Sequence, residues 1–285
     1  MEFGQVNGLR GNVLQSYLSL FLASSFLVRI KPLFGCISEV KFGYNPHCMS
    51  KDVFGKALFS YWKGDRKTPY IVRRDDGYIN TSSLKIYFTK QFYPTEKTIA
   101  HHVKGKILDV GCGAGRHILH YQNRGYDITG IDNSPLAIKV CKERGCKKAK
   151  VMDAFHPKFP QYSFDTILLF GHNIGIGGSL AGAKRLLSSL RKLIKEDGLL
   201  LLTSLEVTKT KKKVHQKYHQ KNRAAKHYVG EIKIRIEYKD EIDDWFDWIH
   251  VEPKIMKKLA QETGWKIIEL HETSSGEYSA APSPC

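Results

Sequence analysis

The chain has 285 residues, of which 42% are hydrophobic and 26% are charged. This composition is ordinary for a folded protein and excludes fibrous and largely disordered classes, and the length allows one large α/β domain or two small ones. The 45 lysines and arginines outnumber the 28 aspartates and glutamates, which gives a formal net charge of +17. Such a charge favours anionic partners, whether nucleic acids, phosphorylated metabolites or an acidic membrane surface, and composition does not choose among them.

The six cysteines show neither a C-x-x-C pair nor the spacing of a zinc site. A chain of this length does not need disulfides, so we interpret the cysteines as reduced thiols of a cytoplasmic protein. His215 and His219 lie four residues apart and could meet on one helix face, but no acidic or cysteine partner lies nearby in the sequence. We therefore predict no metal site.

Residues 1–48 contain the only long apolar run of the chain, at 13–28. This run is shorter than the roughly 20 residues of a membrane-spanning helix, and serines interrupt it. It could be a targeting segment, an amphipathic anchor or an extension outside the working protein. We favour a dispensable extension, because the sequence from Met49 onward is typical of the start of a compact domain.

A short apolar run at 106–110 ends in a glycine-rich turn, and a helical pattern follows the turn. Gly111, Gly113 and Gly115 lack Cβ atoms, so the backbone can turn sharply there and approach a ligand closely. A second predicted strand ends at Asp132, about twenty residues after Gly111, where a carboxylate would meet the ribose hydroxyls of a bound nucleoside. The order of strand, glycine turn and helix therefore predicts a nucleoside-binding turn.

Asp109, just before this turn, indicates which kind of ligand the turn receives. A carboxylate at that position would repel the pyrophosphate of a dinucleotide. The same carboxylate suits a ligand with a cationic end, such as S-adenosylmethionine (SAM), which carries an ammonium and a sulfonium group.

Four motifs in order, ILDVGCGAGR, GIDNSP, VMDAF and FDTILLFGHNIG, resemble those of class I SAM-dependent methyltransferases. The resemblance covers about residues 105–205 and implies SAM as the cofactor. It implies that the methionine portion of SAM lies at the glycine turn, the ribose at Asp132 and the adenine amino group at Asp153. The cofactor-binding residues that it implies are Asp109, Gly111, Cys112, Gly113, Gly115, Asp132, Asn133, Asp153, Ala154, Phe155 and Phe170. A Rossmann-like dehydrogenase and a decayed, non-catalytic copy are the alternatives.

Beyond the motifs, apolar runs alternate with helical repeats, as in the runs at 164–170 and 199–205. Near-continuous apolar character is typical of strands buried on both faces. We predict an α/β fold of the Rossmann-like class I methyltransferase type, with a doubly wound, seven-stranded, mostly parallel sheet. We divide the chain into an N-terminal extension (1–48), a helical lid segment (49–104), the SAM-binding core (105–205), the C-terminal part of the sheet with a substrate-lid insertion (206–275) and a flexible tail (276–285).

The loop at 171–178 follows the fourth predicted strand, and the resemblance implies that it faces the transferred methyl group. The loop lacks the N/D-P-P-Y/F sequence that many DNA and protein methyltransferases carry there. His172 and Asn173 are our candidate catalytic residues, because they could orient or deprotonate the acceptor. Alternatively, they cap the next helix and bond to loop carbonyls.

Aromatic and basic residues flank the predicted core. The run at 209–226 is basic and lacks acidic residues, which favours either a nucleic-acid contact or a solvated helix. The alternating segment 231–238 predicts a half-exposed strand in an antiparallel pair at the edge of the main sheet, and 73–78 predicts a solvated charged turn. Candidate substrate-binding residues are Tyr87, Phe88, Tyr218, Arg235, Trp245 and Trp248; core packing is the alternative for the aromatic ones.

We predict a cytoplasmic SAM-dependent methyltransferase without a membrane span, acting on a small-molecule acceptor. An RNA methyltransferase for tRNA or rRNA, which would bind through 209–226, is the main alternative. A protein acceptor and a non-catalytic SAM-binding protein are the further alternatives. The accepting atom and the oligomeric state are not readable from the sequence, because function resides in the site rather than in the fold.

Overall fold

The computed structural model describes residues 51–285. The predicted extension at 1–48 lies outside the described residues. Within 51–285, no helix is both long enough and apolar enough to cross a membrane.

In the described part of the chain, seven strands form the main sheet in the order β11-β12-β7-β6-β3-β4-β5. Strand β12 runs antiparallel to both of its neighbours, and the other adjacent pairs are parallel. The predicted seven-stranded, mostly parallel sheet is therefore confirmed. The strands are β3 (Lys106–Val110), β4 (Asp127–Asp132), β5 (Ala149–Val151), β6 (Phe164–Leu169), β7 (Ile194–Leu205), β11 (Trp265–Glu272) and β12 (Glu277–Pro284).

Hydrophobic cores cover both faces of the main sheet. Successive residues of β3 illustrate this, because Ile107 lies in one core cluster and Leu108 in the other, as the alternation of a strand requires. Ser134 and Ser179 cap the helices that follow β4 and β6 by accepting hydrogen bonds from backbone N–H groups. The helices are α1 (Val53–Trp62), α2 (Pro94–Ile99), α3 (Arg116–Gln122), α4 (Pro135–Glu143), α5 (Leu180–Arg191), α6 (Lys213–Ala224) and α7 (Pro253–Glu262).

A second, antiparallel sheet has the order β10-β8-β1-β2, with β9 also paired to β8. The prediction that 231–238 pairs at the edge of the main sheet is wrong. That segment forms β8, which pairs with β1 and β10 and buries Ile234 and Ile236 in a hydrophobic core, whereas β12 occupies the position beside β7. The strands are β1 (Tyr70–Arg74), β2 (Ile79–Ser82), β8 (Glu231–Tyr238), β9 (Glu241–Ile242) and β10 (Phe246–Ile249).

The segment predicted as a helical lid also contains the hairpin of β1 and β2. The charged turn at 73–78 is the end of this hairpin, but Arg74 is buried rather than solvated. Its guanidinium forms an ion pair with Asp76 at 2.7 Å and lies over the rings of Tyr78 and Tyr218. Arginine can be buried in this way because its planar charge both pairs with a carboxylate and stacks on aromatic rings.

The predicted flexible tail at 276–285 is wrong. Strand β12 lies between β11 and β7 and is buried over most of its length. Ala280 and Ala281 are fully buried. Small side chains suit a strand that is covered on both faces, but they give no hydrophobic periodicity from which a strand could be recognised.

The second sheet lies over the carboxyl end of β6. A short 3-10 helix, Asn173–Gly177, follows β6, and the indole ring of Trp248 in β10 occupies the place of a side chain at Gly175. Beside it, Ser204 in β7 bonds through its hydroxyl to the carbonyl of Val251. In parallel α/β sheets ligands bind at the carboxyl ends of the strands, so the second sheet borders the expected site.

Candidate active site

The glycine turn after β3 requires glycine at three positions. Gly111, Gly113 and Gly115 have φ angles of 73°, 51° and 76°, which residues with a Cβ adopt only with strain. At Gly115 a Cβ atom would also lie 2.5 Å from the sulfur of Cys146. The backbone N–H groups of Gly111 and Cys112 donate to the carbonyl of Ile131, which fixes the turn to the end of β4.

Asp109 places a buried carboxylate at the carboxyl end of β3. The residue is 1% exposed, and its Oδ2 has no hydrogen-bond partner among residues 51–285. Its Oδ1 lies 3.6 Å from Nδ1 of His117. A buried carboxylate oxygen without a donor is costly, so this atom fits a ligand that brings a cationic donor.

Asp132 ends β4 and keeps acceptor capacity in spite of its burial. Its two oxygens accept hydrogen bonds from the backbone N–H groups of Gly113 and Ser134, both at 2.9 Å. A carboxylate has about four acceptor positions, so each oxygen retains one. Burial raises the pKa of Asp132 to about 7, with further contributions from the charges of Asp52 and Asp109. The side chain fits a ligand with two adjacent hydroxyl groups.

Asn173 contacts the glycine turn. Its Nδ2 donates to the carbonyl of Val110 at 2.8 Å and to that of Gly111 at 3.0 Å. The amide that we expected to face the acceptor therefore bonds to loop carbonyls, as in the alternative interpretation. The contact holds the turn after β6 against the turn after β3.

His172 is buried and adopts a left-handed backbone conformation with φ of 62°. Burial, together with the neighbouring His250, lowers its pKa well below the usual value, so the imidazole is neutral. Its backbone N–H donates to Oγ1 of Thr203 in β7. The ring lies at the carboxyl ends of β6 and β7, where an acceptor is expected.

A small pocket opens beside His172, between the carboxyl ends of β6 and β7, the start of β12, and α2. The enclosed space is small, with room for about one water molecule, and the pocket is partly open to solvent. Sequence reasoning identified only His172 among its lining residues, because the others come from the segments predicted as lid, core strand and tail. The lining residues are Tyr93, Thr95, Glu96, Gly171, His172, Thr203 and Glu277.

Glu96 contributes a carboxylate that is already paired. Its oxygens accept from Arg116 at 2.5 and 2.8 Å, and Nε2 of His117 lies 3.4 Å away. Burial by itself would raise the pKa of Glu96, but Arg116 and His117 lower it to about 2. The Y-P-T-E sequence signals a helix start, and the N–H of Tyr93 does donate to Glu96, but this pattern does not predict the burial of Glu96.

Some predicted cofactor-binding side chains have other contacts. The thiol of Cys112 lies 4.0 Å from that of Cys141 in a hydrophobic core, and the ring of Phe170 packs against His117 and Phe92. Both side chains are buried, so the structure does not support the predicted side-chain contacts of these two residues with a cofactor.

Asp153, Ala154 and Asn133 lie just beyond the carboxyl ends of β5 and β4. Asp153 is half exposed, accepts from the N–H of Phe155 at 2.9 Å and pairs with His156 at 2.8 Å. Ala154 is buried and Asn133 partly buried. These positions lie on the same edge of the sheet as Asp132.

The predicted aromatic substrate residues are mostly packing residues. Tyr87 bonds to the hydroxyl of Tyr70 at 2.9 Å, and Phe88 stacks on Tyr61 with ring centres 4.5 Å apart. Trp248 is 1% exposed and packs on the 3-10 helix after β6. None of these rings lines the pocket beside His172, and their contacts within the described residues are with neighbouring side chains and backbone of the fold.

The other three predicted substrate residues lie outside that pocket as well. The hydroxyl of Tyr218 donates to Asp75 at 2.7 Å. The guanidinium of Arg235 lies 4.7 Å from the ring of Trp245, which is partly exposed. These contacts belong to the second sheet and to α6, and they leave Tyr218 buried.

Two groups of histidines bear on the prediction that the protein has no metal site. Nδ1 of His215 lies 3.0 Å from a guanidinium nitrogen of Arg74, a positive neighbour that disfavours a cation. Elsewhere in the described chain, His101, His102 and Glu269 lie close enough together to ligate an ion. There Glu269 already bonds to His102 and His271.

Comparisons with known proteins agree with this geometry. A family model described as a methyltransferase domain matches residues 107–198. A glycine/sarcosine N-methyltransferase of Aphanothece halophytica is 22% identical over 189 residues, which are 61% of this chain and 71% of the relative.

Two solved structures are similar over most of the described residues. A SAM-dependent methyltransferase of Bacteroides fragilis, solved with S-adenosylhomocysteine, has 28% identity and a TM-score of 0.72, over 82% of this chain and 95% of that one. A SAM-dependent methyltransferase of Methanosarcina mazei has 21% identity and a TM-score of 0.55, over 68% and 98% of the two chains, and supports the fold.

The sheet order, the glycine turn and the two buried aspartates define a protein of the Rossmann-like class that binds an adenosyl cofactor with a cationic end. Residues 107–198 form a methyltransferase domain, and the fold and the site are those of class I SAM-dependent methyltransferases, with SAM as the cofactor. The free Oδ2 of Asp109 and the remaining acceptor positions of Asp132 fit the ammonium and ribose groups of SAM.

Proposed function

We propose that this methyltransferase acts on a small-molecule acceptor, which binds in the pocket beside His172. The observation that carries the proposal is the pocket itself, which lies at the carboxyl ends of β6 and β7. His117 connects it to the glycine turn, since this ring lies 3.4 Å from Glu96 and 3.6 Å from Asp109. The enclosed space is small, so it would admit one small group of an acceptor. The second sheet packs beside it and would limit the access of water.

In the proposed complex, SAM supplies an electrophilic methyl group on its sulfonium. Asp109 would bind the ammonium group, and Asp132 would accept hydrogen bonds from the ribose hydroxyls. We propose that Gly111, Gly113 and Gly115 let the backbone approach the methionine portion, and that Asn133, Asp153 and Ala154 border the adenine. Asn173 would keep the turn in the conformation that these contacts need, since methyl transfer depends chiefly on alignment.

The charges in the pocket favour a small molecule over RNA. Glu96 is already paired, but Glu277 is a buried carboxylate without an ion pair in residues 51–285, and its negative charge would repel a phosphate group. In the basic helix α6, Tyr218 is bonded to Asp75 and Lys221 pairs with the same carboxylate at 2.9 Å. The tyrosine therefore lacks the exposed ring face that base stacking needs.

The name of the Aphanothece halophytica relative points to acceptors that are small amines. At 22% identity this likeness supports the choice of a small acceptor without specifying which one.

We also propose a domain organisation and a cellular location for this protein. The first is that 105–205 forms the cofactor-binding unit and that the segments on either side of it shape the acceptor site. The second is a cytoplasmic location, which is supported by the free thiols of Cys112 and Cys141, only 4.0 Å apart. Such neighbouring thiols persist most readily in a reducing compartment.

The test is calorimetric titration with S-adenosylhomocysteine, with and without bulk tRNA, followed by methyl transfer from labelled SAM to a fractionated metabolite extract. We expect cofactor binding that tRNA does not change, and label in the small-molecule fraction. Binding strengthened by tRNA, with label in RNA, would contradict the proposal in favour of an RNA acceptor. Absence of label in every fraction would favour a non-catalytic SAM-binding protein.

A further inference from the structure

Glu277 has a buried carboxylate, one oxygen of which has no hydrogen-bond partner in the described chain. The residue is 5% exposed, lines the pocket beside His172, and its Oε1 has no hydrogen-bond partner within residues 51–285. Buried polar atoms in folded proteins are almost always bonded. The unsatisfied oxygen therefore points to a donor supplied by a ligand.

Backbone contacts, rather than the charge of the side chain, place Glu277 at the pocket. Strand β12 runs antiparallel to β7, so its first residue, Glu277, pairs with Leu205 at the carboxyl end of β7. The preceding turn is held by backbone contacts, since the N–H of Thr273 donates to the carbonyl of Glu277 and Gly276 has φ of 93°. The carboxylate itself makes no contact that builds the turn.

No positive group of the described chain neutralises Glu277. Across the pocket, Glu96 on α2 is paired with Arg116 and His117, and His172 after β6 is neutral. Tyr93 and Thr203 carry no charge at neutral pH.

On the turn before β12, the stem of Lys209 packs beside Gly276. Its ammonium group pairs with Glu206 and Glu272 instead. None of the positive groups near the pocket therefore forms an ion pair with Glu277, although the overall charge of the chain is strongly positive.

We propose that Glu277 binds the ammonium group of a small amine acceptor and removes one proton from it before methyl transfer. This inference rests on the proposed function and specifies its acceptor class. An ammonium group matches the pocket in charge and donates the hydrogen bond that Oε1 lacks.

The reaction balances with these groups. The ammonium group gives one proton to Glu277, and its nitrogen then has a free lone pair. That lone pair forms the new N–C bond as the methyl C–S bond breaks, and the bonding electrons stay on sulfur. The product is a methylated ammonium ion, and the proton leaves Glu277 for solvent. Burial, with the nearby charge of Glu96, raises the pKa of Glu277 to about 7, which suits a group that takes up and releases a proton near neutral pH.

The test compares Glu277→Gln with Glu272→Gln as the matched control. Glu272 lies on the neighbouring strand β11, opposite Tyr278, and forms a partly exposed ion pair with Lys209. Glutamine keeps the size of the side chain and removes a buried charge, so we expect Glu277→Gln to fold. Binding of S-adenosylhomocysteine by calorimetry checks this directly and tests the proposed function separately.

The probe is propylamine, titrated into the complex with S-adenosylhomocysteine, with propan-1-ol as the uncharged match. Carbon NMR of labelled glutamate carboxyls follows the pKa of Glu277. We expect propylamine to lower that pKa in the wild type and in Glu272→Gln. We expect Glu277→Gln to bind propylamine roughly ten-fold to a hundred-fold more weakly, as for the loss of one hydrogen bond to a charged group. Propan-1-ol should bind the wild type and both variants with similar affinity.

Equal affinity of the wild type and Glu277→Gln for propylamine would overturn the inference. Absence of amine binding to the wild-type complex would overturn it as well. In both cases, retained binding of S-adenosylhomocysteine would leave the proposed function standing. A failure of all variants to bind S-adenosylhomocysteine would instead overturn the proposed function.

Discussion

Nδ1 of His117 lies 3.6 Å from a carboxylate oxygen of Asp109. On its other side the same ring lies 3.4 Å from Glu96, which lines the acceptor pocket. Burial and Arg116 oppose a charge on the imidazole, but Glu96 and Asp109 together raise the pKa of His117. The positive charge of His117 therefore lies between the two buried carboxylates of Asp109 and Glu96. In this way it connects the carboxyl end of β3 to the acceptor pocket.

The first prediction concerns this connection. His117 has a raised pKa in the folded state, so its stabilising effect is full below the unfolded value of about 6.5 and is lost as pH rises through the folded value. We expect His117→Gln to lower the free energy of unfolding most at about pH 6 and least at about pH 9. Urea unfolding at the two pH values measures this. The exposed His227→Gln is the control, and an equal loss at both pH values would contradict the role of the charge.

The second prediction concerns Asp132, whose pKa is raised to about 7. Its ionised form accepts hydrogen bonds from ribose hydroxyls, so affinity for S-adenosylhomocysteine should rise as pH increases through about 7. Asp132→Asn should remove this pH dependence and weaken binding by about 1–3 kcal/mol at high pH. Calorimetry at several pH values checks both effects. The control is Asp127→Asn, at the exposed start of the same strand, which should behave like the wild type. If the affinity of Asp132→Asn rose with pH as much as that of the wild type, this would argue against ribose binding at Asp132.

The third prediction separates positioning from catalysis at Asn173. Asn173→Ala removes the hydrogen bonds to the carbonyls of Val110 and Gly111. We expect a loss of about 1–3 kcal/mol in stability together with weaker binding of S-adenosylhomocysteine. Asn222→Ala breaks a similar set of bonds to backbone carbonyls near β8 and should lose stability without losing cofactor affinity. If Asn173→Ala lowered kcat alone, the residue would instead act on the acceptor.

The fourth prediction concerns the contact between the two sheets. A Cβ atom at Gly175 would overlap the indole ring of Trp248. We expect Gly175→Ala to cost about 1–3 kcal/mol of stability. The loss caused by Gly175→Ala should be smaller when Trp248 is replaced by Leu, because the added Cβ and the indole ring compete for the same space. Additive losses in urea unfolding would show that the two residues are not coupled.

The cofactor and the fold of the core could be predicted from the sequence because their signals are local. The left-handed turns at Gly111, Gly113 and Gly115 depend on the residue type at each position. Asp109 and Asp132 lie at the carboxyl ends of two adjacent strands, which the apolar runs before them already indicate. Near-continuous apolar runs marked the buried parallel strands. These features depend on short stretches of chain and on chemistry that each residue carries by itself.

The acceptor pocket was decided by the tertiary structure. Glu96 comes from the helix before the core and Glu277 from a segment whose small residues gave no periodicity. The pairing of β12 with β7 and the packing of α2 against β12 bring them to one place. The sequence also predicted Trp248 and Tyr218 as substrate-binding residues. In the folded chain, Trp248 packs against Gly175 and is buried, and the hydroxyl of Tyr218 donates to Asp75. A local pattern fixes the conformation of a turn, whereas burial and pairing between distant segments depend on which surfaces the folded chain brings into contact.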